Sequence, residues 1–179
     1  ADLAATPESE TLKTAVVTAL DDLTTQMRET SSALAGLRSD ADRTVADAVD
    51  AANAARGDID ALNDAIVEAQ TRGEPTGDLE DQRNTALIAL SSHLDVSTTI
   101  GSDGRMRVYT AAGKTLVGDS VHELSFTAAS STSVGVTLSG ISVDGTDITA
   151  SIRSGDIAAA LTVRDETIPA VQAQLDELA

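Results

Sequence analysis

The chain has 179 residues, a length that suits one sizeable hydrophobic core or one core with a small appended module. It contains one phenylalanine, one tyrosine, no tryptophan and no cysteine, which excludes disulfides, thiolate metal sites and aromatic platforms for single-stranded nucleic acid. Its 29 acidic and 12 basic residues give a net charge of −17. Since this charge repels phosphate backbones and anionic lipids, we expect neither nucleic acid nor a membrane among the partners.

The negative charge is concentrated in the two ends of the chain. Residues 1–95 carry −12, residues 96–153 carry −1 and residues 154–179 carry −4. No stretch approaches 18 uninterrupted apolar residues, and no basic region followed by an apolar stretch opens the sequence. Neither a membrane-spanning helix nor a secretory signal is therefore predicted.

A long helix is predicted from Thr11 to Gln70. The segment is rich in Ala, Leu, Arg, Asp and Glu and holds no proline. Small and apolar residues recur in it at steps of three and four, as on the contact face of a coiled coil: Val16, Leu20, Leu23, Met27, Thr30, Leu34, Leu37, Ala41, Val45, Ala48, Ala52, Ala55, Ile59, Leu62, Ile66 and Ala69. At about 1.5 Å per residue, the helix would reach roughly 90 Å, which makes it a rod.

Two glycines interrupt the helical pattern, and a connector ends it. Gly36 and Gly57 either provide a hinge, or allow close helix contact, or are tolerated at about 1 kcal/mol each relative to alanine. The sequence at residues 71–77, Thr-Arg-Gly-Glu-Pro-Thr-Gly, predicts a connector. Asp78 is then expected to cap a second, shorter helix that folds back along the rod.

Short β-branched runs replace the helical pattern between residues 96 and 153. Gly, Asp and Ser separate six runs, which favours antiparallel strands: Val96–Ile100, Arg105–Thr110, Val121–Phe126, Val134–Leu138, Ile141–Val143 and Asp147–Ile152. Hairpin turns are predicted at Ser102-Asp103-Gly104 and at Asp144-Gly145. In the second run, Met106 and Val108 should face one side, and the arginines and the tyrosine the other.

The helical period returns after Ser154, the expected cap. Its apolar face runs through Leu161 with Arg164 among the apolar positions, and Pro169 should kink or split the helix because it removes a backbone hydrogen bond. We expect carboxylate or carbonyl oxygens to pair with Arg164, because an unpaired buried charge is costly. The apolar pattern still continues at Ala179, from which we expect a fragment whose partner segments lie outside it.

The predicted fold class is α+β. It is an elongated antiparallel helical bundle, made of a long N-terminal helix, a short return helix and a C-terminal helix, with an inserted small antiparallel β module. The predicted units are residues 1–95, with the long helix and the return helix, residues 96–153, the β module, and residues 154–179, the helix that completes the rod.

No catalytic, cofactor or metal site is predicted. His93 and His122 lie in no metal-binding motif, and His93 is interpreted as closing a helix near its negative end. The run from Gly118 to His122 begins like a nucleophile elbow, but a histidine replaces its second glycine and no helix follows. An enzyme would need a pocket that joins His122 to the Asp-rich turns. The Gly-Lys-Thr at residues 113–115 lacks the earlier glycine of a phosphate loop and is interpreted as a hairpin turn.

Two stretches of the sequence resemble a known family. The run Gly77–Arg83, followed by Val108-Tyr109 and by Gly113–Gly118, is similar to the DLxDQRD…V…Y…G..LV segment of flagellar hook-associated proteins of the FlgK type. The stretch from Gly155 to Pro169, followed by Leu-Asp-Glu-Leu-Ala at residues 175–179, resembles the GxLGGLLxxRDxxLPxxxxxLDxLA signature of that family. Asn84 departs from the usual aspartate, and Ala158 and Ala159 stand where glycines are common. The residues that carry the resemblance are Asp78, Leu79, Asp81, Gln82, Arg83, Gly155, Leu161, Arg164, Asp165 and Pro169.

The resemblance implies a non-enzymatic axial component of the bacterial flagellum, at the junction between hook and filament. Such a protein is secreted to the outside through the flagellum's own channel, without a cleaved signal peptide. The implied partners are copies of the same chain in a ring, the flagellar hook protein, a second hook–filament junction protein, and an export chaperone that binds a missing terminal segment. The helical rod would make the lateral contacts, the β module would face outward, and Asp81, Arg83 and Arg164 would hold the helices together.

One alternative from a different class is left open. Ala-, Ser- and Thr-rich heptads with outer Asp and Arg residues also occur in coiled-coil signalling rods of the chemoreceptor type, with the β module as a sensor. A parallel dimer in solution would favour the signalling rod, whereas a bundle formed within one chain favours the axial protein.

Overall fold

The computed structural model describes residues 9–120, 122–133 and 136–178. The elements in chain order are α1 Glu10–Arg72, α2 Gly77–His93, β1 Val96–Ile100, β2 Met106–Thr110, β3 Thr115–Val117, β4 Leu124–Ser125, β5 Ser142–Val143, β6 Thr146–Asp147, a 3₁₀ turn Thr149–Ser151, α3 Gly155–Thr162, one turn of π-helix Val163–Thr167, and α4 Ile168–Asp176. This arrangement confirms the predicted α+β class with a long first helix. In the described part of the chain, no helix has the length and apolar character needed to cross a membrane.

The long helix α1 is capped at both ends. The hydroxyl of Ser9 accepts the N–H of Leu12 at 3.4 Å. At the other end Gly73, with a φ of 71°, donates its N–H to the carbonyls of Ala69 and Gln70. The helix ends at Arg72, two residues beyond the predicted end, because Gly73 is the first residue that adopts the left-handed conformation.

Only the second half of α1 is buried within the chain. Val45, Ile59 and Ile66 are fully buried. In the first half, five larger apolar residues are each 42–57% exposed: Val16, Val17, Leu20, Leu23 and Leu37. The helix continues through both predicted interruptions, Gly36 and Gly57, where an added Cβ would meet nothing within 4 Å. Close helix contact therefore does not explain these two glycines.

Helix α2 folds back along α1, as predicted, but begins earlier than expected. It starts at Gly77, and the hydroxyl of Thr76 donates to Glu80 at 2.7 Å instead of capping the backbone. Asp78, the predicted cap, lies in the first turn, where its charge favours the helix dipole. The connector therefore shortens to residues 73–76.

Two three-stranded antiparallel sheets follow, with orders β1-β2-β3 and β4-β5-β6. In β2 the side chains of Met106 and Val108 are buried while those of the flanking residues are partly exposed, as the alternation predicts. Both predicted hairpins are present. Gly104 has a φ of 80°, and Asp144 and Gly145 have φ values of 50° and 72°, as a primed turn requires.

The later strands are shorter than predicted. Strand β4 covers only Leu124–Ser125, and residues 136–140 are irregular, while residues 121, 134 and 135 of the predicted runs lie outside the described residues. The predicted strand from Asp147 to Ile152 is wrong after its first residue, because a carboxylate oxygen of Asp147 accepts the N–H of Thr149 at 2.8 Å. The hydroxyl of Thr149 in turn accepts the N–H of Ile141 at 2.7 Å. Such local bonds compete with strand pairing.

The C-terminal helical segment is split, as Pro169 predicts. Helix α3 widens after Thr162 into the π turn, in which the N–H of Ile168 reaches the carbonyl of Val163. Pro169, which has no N–H to donate, then lies at the start of α4. Ser154 precedes α3 at the cap position, but its hydroxyl donates to Asp95 instead of capping the helix.

One hydrophobic core joins the helices and the sheets. Its members come from α1, α2, both sheets and α3, and include Val45, Ile59, Leu90, Val108, Leu116, Ile141, Val143, Ile157 and Leu161. The change from helix to strand and back falls close to residues 96 and 153, but the core crosses both positions. The division into units 1–95, 96–153 and 154–179 stays a prediction.

Candidate functional site

The centre of the helical region is a buried arginine with two carboxylate partners. Arg164, in the π turn, is 2% exposed. Its Nη1 donates to Asp42 of α1 at 2.7 Å, and its Nε and Nη2 donate to Asp165 at 2.9 and 2.7 Å. Burial by itself lowers the pKa of the Arg164 guanidinium, but its hydrogen bonds to Asp165 and Asp42 outweigh burial and raise this pKa above its usual value. The carboxylate pairing expected for Arg164 is therefore present.

The same cluster ties an irregular segment, residues 126–133, to the helices. The second oxygen of the Asp42 carboxylate accepts the N–H of Ala129 at 2.7 Å, and the ring of Phe126 lies 5.7 Å from the Arg164 guanidinium. Arg38 donates to the carbonyls of Arg164 and Thr132 at 3.0 and 3.1 Å. The charges and donors of this cluster thus fix the position of the segment against α1.

A second buried arginine joins α2 to the first sheet. Arg83 is 4% exposed, and its Nη1 donates to Asn63 Oδ1 and to the carbonyl of Gly104, both at 2.9 Å. The Asn63 side chain also forms two hydrogen bonds with the backbone of Met106. Its Oδ1 accepts the N–H of Met106 and its Nδ2 donates to the carbonyl of Met106, each at 2.8 Å. Burial lowers the pKa of the Arg83 guanidinium.

The second sheet is held to α1 in the same way as the first. Ten residues before Asn63, the Asn53 amide donates to the carbonyl of Leu124 at 2.9 Å and accepts its N–H at 3.0 Å. Each asparagine therefore satisfies both backbone groups of one strand residue, as a neighbouring strand would do. Two asparagines on one helix face thus position the two sheets.

A close backbone contact joins the end of α2 to the start of α3. Gly155 has a φ of 83°, and a Cβ built on it would lie 2.5 Å from the carbonyl carbon and oxygen of His93. Beside it, Asp95 accepts the N–H of Arg153 at 3.1 Å and the hydroxyl of Ser154. These bonds, the one from Ser154 most strongly, lower the pKa of the Asp95 carboxyl below its usual range.

The two signatures predicted from sequence do not converge on one site. Arg83 and Arg164 contact α1 at positions 21 residues apart, which is roughly 30 Å of helix. Gly155 and Asp165 make the contacts given above. Leu161 of α3 is buried, whereas Leu79 and Pro169 are partly exposed. The remaining members are exposed on α2: Asp78, Asp81 and Gln82. Among the described hydrogen bonds and ion pairs, none involves the Asp81 carboxylate, so Arg83 and Arg164, and not Asp81, join the elements.

Sequence reasoning missed the partners of these arginines on α1. Asp42, Asn53 and Asn63 are polar residues beside the apolar face, and the asparagines have low helix propensity. That combination is the signal that could have identified them. His93 does end α2, and Gly113 does form the turn between β2 and β3, as interpreted from the sequence. Within residues 9–120, 122–133 and 136–178, no group of three or more His, Asp or Glu side chains is arranged to hold a metal.

Comparison with known proteins agrees with this architecture. The whole chain, residues 1–179, matches the family described as the flagellar hook-associated protein FlgK helical domain. A solved structure of the flagellar hook junction protein FlgK from Burkholderia pseudomallei has the same fold, with a TM-score of 0.81 and 24% identity over 99% of this chain. The present chain spans 33% of that protein's length. No curated protein matches the chain. The chain belongs to the FlgK helical-domain family of flagellar hook-associated proteins.

Proposed function

We propose that the chain is part of a structural axial protein of the flagellum, at the junction between hook and filament. The observation that carries this proposal is the match of all 179 residues to the FlgK helical-domain family. The proposed partners are further copies of the chain in a ring, the hook protein, a second junction protein and an export chaperone. The protein would leave the cell through the flagellum's own channel and function outside it, without enzymatic activity.

The apolar surface of the helices supports lateral packing. A groove between α1 and the α3–α4 segment is lined by small and apolar residues, among them Ala41, Ala159 and Leu37. Leu37, Val163 and Val171 are each 42–55% exposed there. Burying such surface against another helix would be favourable, at about 25 cal/mol per Å² of apolar area. Asp47 on the same groove favours a partner surface that carries positive charge.

The packing within the chain also favours an axial protein over a signalling rod. The buried half of α1 contacts α2, α3 and the π turn of the same molecule. A parallel dimer of long helices would need this face of α1 for its partner. Other elements of the same chain already cover this face, because Val45, Ala52 and Ile59 are fully buried.

Cysteine labelling in the full-length protein tests the proposed location. The chain has no cysteine, and Ile88 on α2 is 69% exposed. Ile88→Cys therefore gives one reactive thiol, provided that any cysteine elsewhere in the full-length protein is first replaced. We expect maleimide–gold to mark a single band between hook and filament. Gold along the whole filament, or label only in the cell membrane, would contradict the proposal.

Thiol protection tests the proposed lateral contact. Leu37→Cys should react readily with maleimide in the isolated chain and slowly in assembled flagella, because the groove would then be covered. Ile88→Cys is the matched control and should react equally in both states. Equal reactivity of Leu37→Cys in both states would show that the groove stays open.

A further inference from the structure

A serine, a histidine and an aspartate form a hydrogen-bonded chain at the surface of the β region. Ser120 Oγ lies 2.8 Å from His122 Nε2, and His122 Nδ1 lies 2.7 Å from Asp144 Oδ2. Ser120 and His122 belong to the segment that precedes β4, whereas Asp144 forms the turn between β5 and β6 with a φ of 50°. The fold thus joins His122 to an Asp-rich turn.

The order of these contacts is the one that activates a hydroxyl group. The Asp144 carboxylate can only accept, so in the neutral imidazole the proton lies on Nδ1 and a lone pair is left at Nε2. That lone pair accepts the hydroxyl proton of Ser120. A histidine in this tautomer acts as a general base toward serine, and the carboxylate fixes its orientation.

The neighbouring charges leave this arrangement intact. Asp119 lies 3.3 Å from Arg107, which also pairs with Asp103, and Glu123 lies 3.5 Å from Arg56, so each of these two carboxylates already faces a cation. Asp144 is therefore the carboxylate that faces His122 in the described residues. Ser120 is exposed and the His122 side chain is 28% exposed, so a small reagent can reach both.

The backbone limits which acyl donors can react. The N–H of His122 donates to the carbonyl of Leu116 at 3.1 Å, so this group is not available to stabilise an oxyanion. A donor with a poor leaving group depends on such stabilisation. An activated ester depends on it less, because its leaving group departs easily as an anion.

We propose that Ser120 is an O-acylation site that accepts acyl groups from activated esters. Ser120 Oγ forms a bond to the acyl carbon, the bond from that carbon to the leaving group breaks, and the hydroxyl proton passes to His122 Nε2 and then to solvent. His122 is the general base, and Asp144 is a positioning residue. The product is an ester of Ser120, so the site is one of modification and is compatible with a structural role.

Acetylation by p-nitrophenyl acetate, followed by peptide mapping with mass spectrometry, tests the proposal on the 179-residue chain. We expect Ser120 to react about 100-fold faster than Ser102, an exposed serine in the β1–β2 turn, since a general base contributes about 10²–10⁴-fold. His122→Gln places a neutral amide at this position, which can form hydrogen bonds but supplies no base, and should reduce the rate at Ser120 to that at Ser102. Asp144→Asn should reduce the rate at least about tenfold through loss of the tautomer.

Two controls separate activation from a purely structural hydrogen bond. Glu123→Gln changes a neighbouring carboxylate that does not face His122 and should leave the rate at Ser120 unchanged. Ser120→Ala should lose the adduct, and circular dichroism should show that all variants remain folded. Labelling of Ser120 at the rate of Ser102, an adduct on His122 in place of Ser120, or full labelling in folded His122→Gln would each overturn the proposal.

Discussion

At the scale of single residues, the pair of Arg164 and Asp42 combines the deepest burial with full charge. Both side chains are 2% exposed, and the same carboxylate also accepts a backbone N–H from Ala129. Removing the arginine would leave a buried carboxylate with one hydrogen bond and no counter-ion. The loss of one partner therefore matters more than the net value of the pair.

We expect Arg164→Met to lower the free energy of unfolding by about 3–5 kcal/mol, because it leaves Asp42 uncompensated. Arg43→Met is the matched control. It breaks an ion pair with Asp40 in which both side chains are more than 60% exposed, and should cost less than about 1 kcal/mol. Urea unfolding followed by circular dichroism measures both values. A similar small loss in both variants would mean that solvent compensates Asp42.

The lowered pKa of the Asp95 carboxyl predicts a pH effect. A carboxyl group whose pKa is lower in the folded state stabilises the protein above its unfolded pKa, and this contribution is lost as the pH falls through the folded pKa. The window therefore lies below about pH 4, given the ordinary aspartate value. Ser154→Ala should raise the pKa of Asp95 in an NMR titration, because it removes the strongest of the lowering hydrogen bonds. Ser125→Ala, at an exposed position of β4, should leave it unchanged.

At the scale of elements, predictability depends on whether the pattern is periodic or local. The helices follow from repeated Ala and Leu spacing, so their positions were predicted within a few residues. Strand β6 ends early because the side chains of Asp147 and Thr149 bond to nearby backbone groups, which alternation does not reveal. The kind of partner of Arg164 was predictable from burial cost, but Asp42, 122 residues away, was not, because sequence spacing does not set tertiary contacts.

The junction of α2 and α3 gives a prediction at this scale. Gly155→Ala should destabilise the fold by more than Gly145→Ala, although both glycines have positive φ. At Gly145 nothing lies within 4 Å of an added Cβ, so the cost is the left-handed conformation alone, about 1–2 kcal/mol. At Gly155 the Cβ would also collide with the backbone of His93, which adds about 1–3 kcal/mol. Equal melting temperatures for the two variants would show that the α2–α3 contact yields without cost.

At the scale of the whole molecule, the core and the rod do not coincide. The core begins near Ala41 and extends to Ala69 along α1, while the first thirty residues of that helix have exposed apolar side chains. The C-terminal segment reaches back along this part to Ser31, whose hydroxyl lies 3.4 Å from Gln172, and one turn further to a groove that Leu175 shares with Met27. The first half of α1 therefore depends on helix propensity and on contact with another surface, whereas the second half is stabilised by the core.

Hydrogen exchange should separate these two halves of α1. Amides between residues 12 and 26 should exchange about 100-fold or more faster than those between residues 45 and 66, because an unsupported helix opens locally while a core helix opens with the whole fold. Mass spectrometry of peptic peptides, repeated over a tenfold dilution, measures the difference. Equal protection that persists on dilution would show that the first half is stable alone. Protection that rises with concentration would indicate that a second copy covers Val16, Leu20 and Leu23, which would connect the uneven core directly to lateral packing.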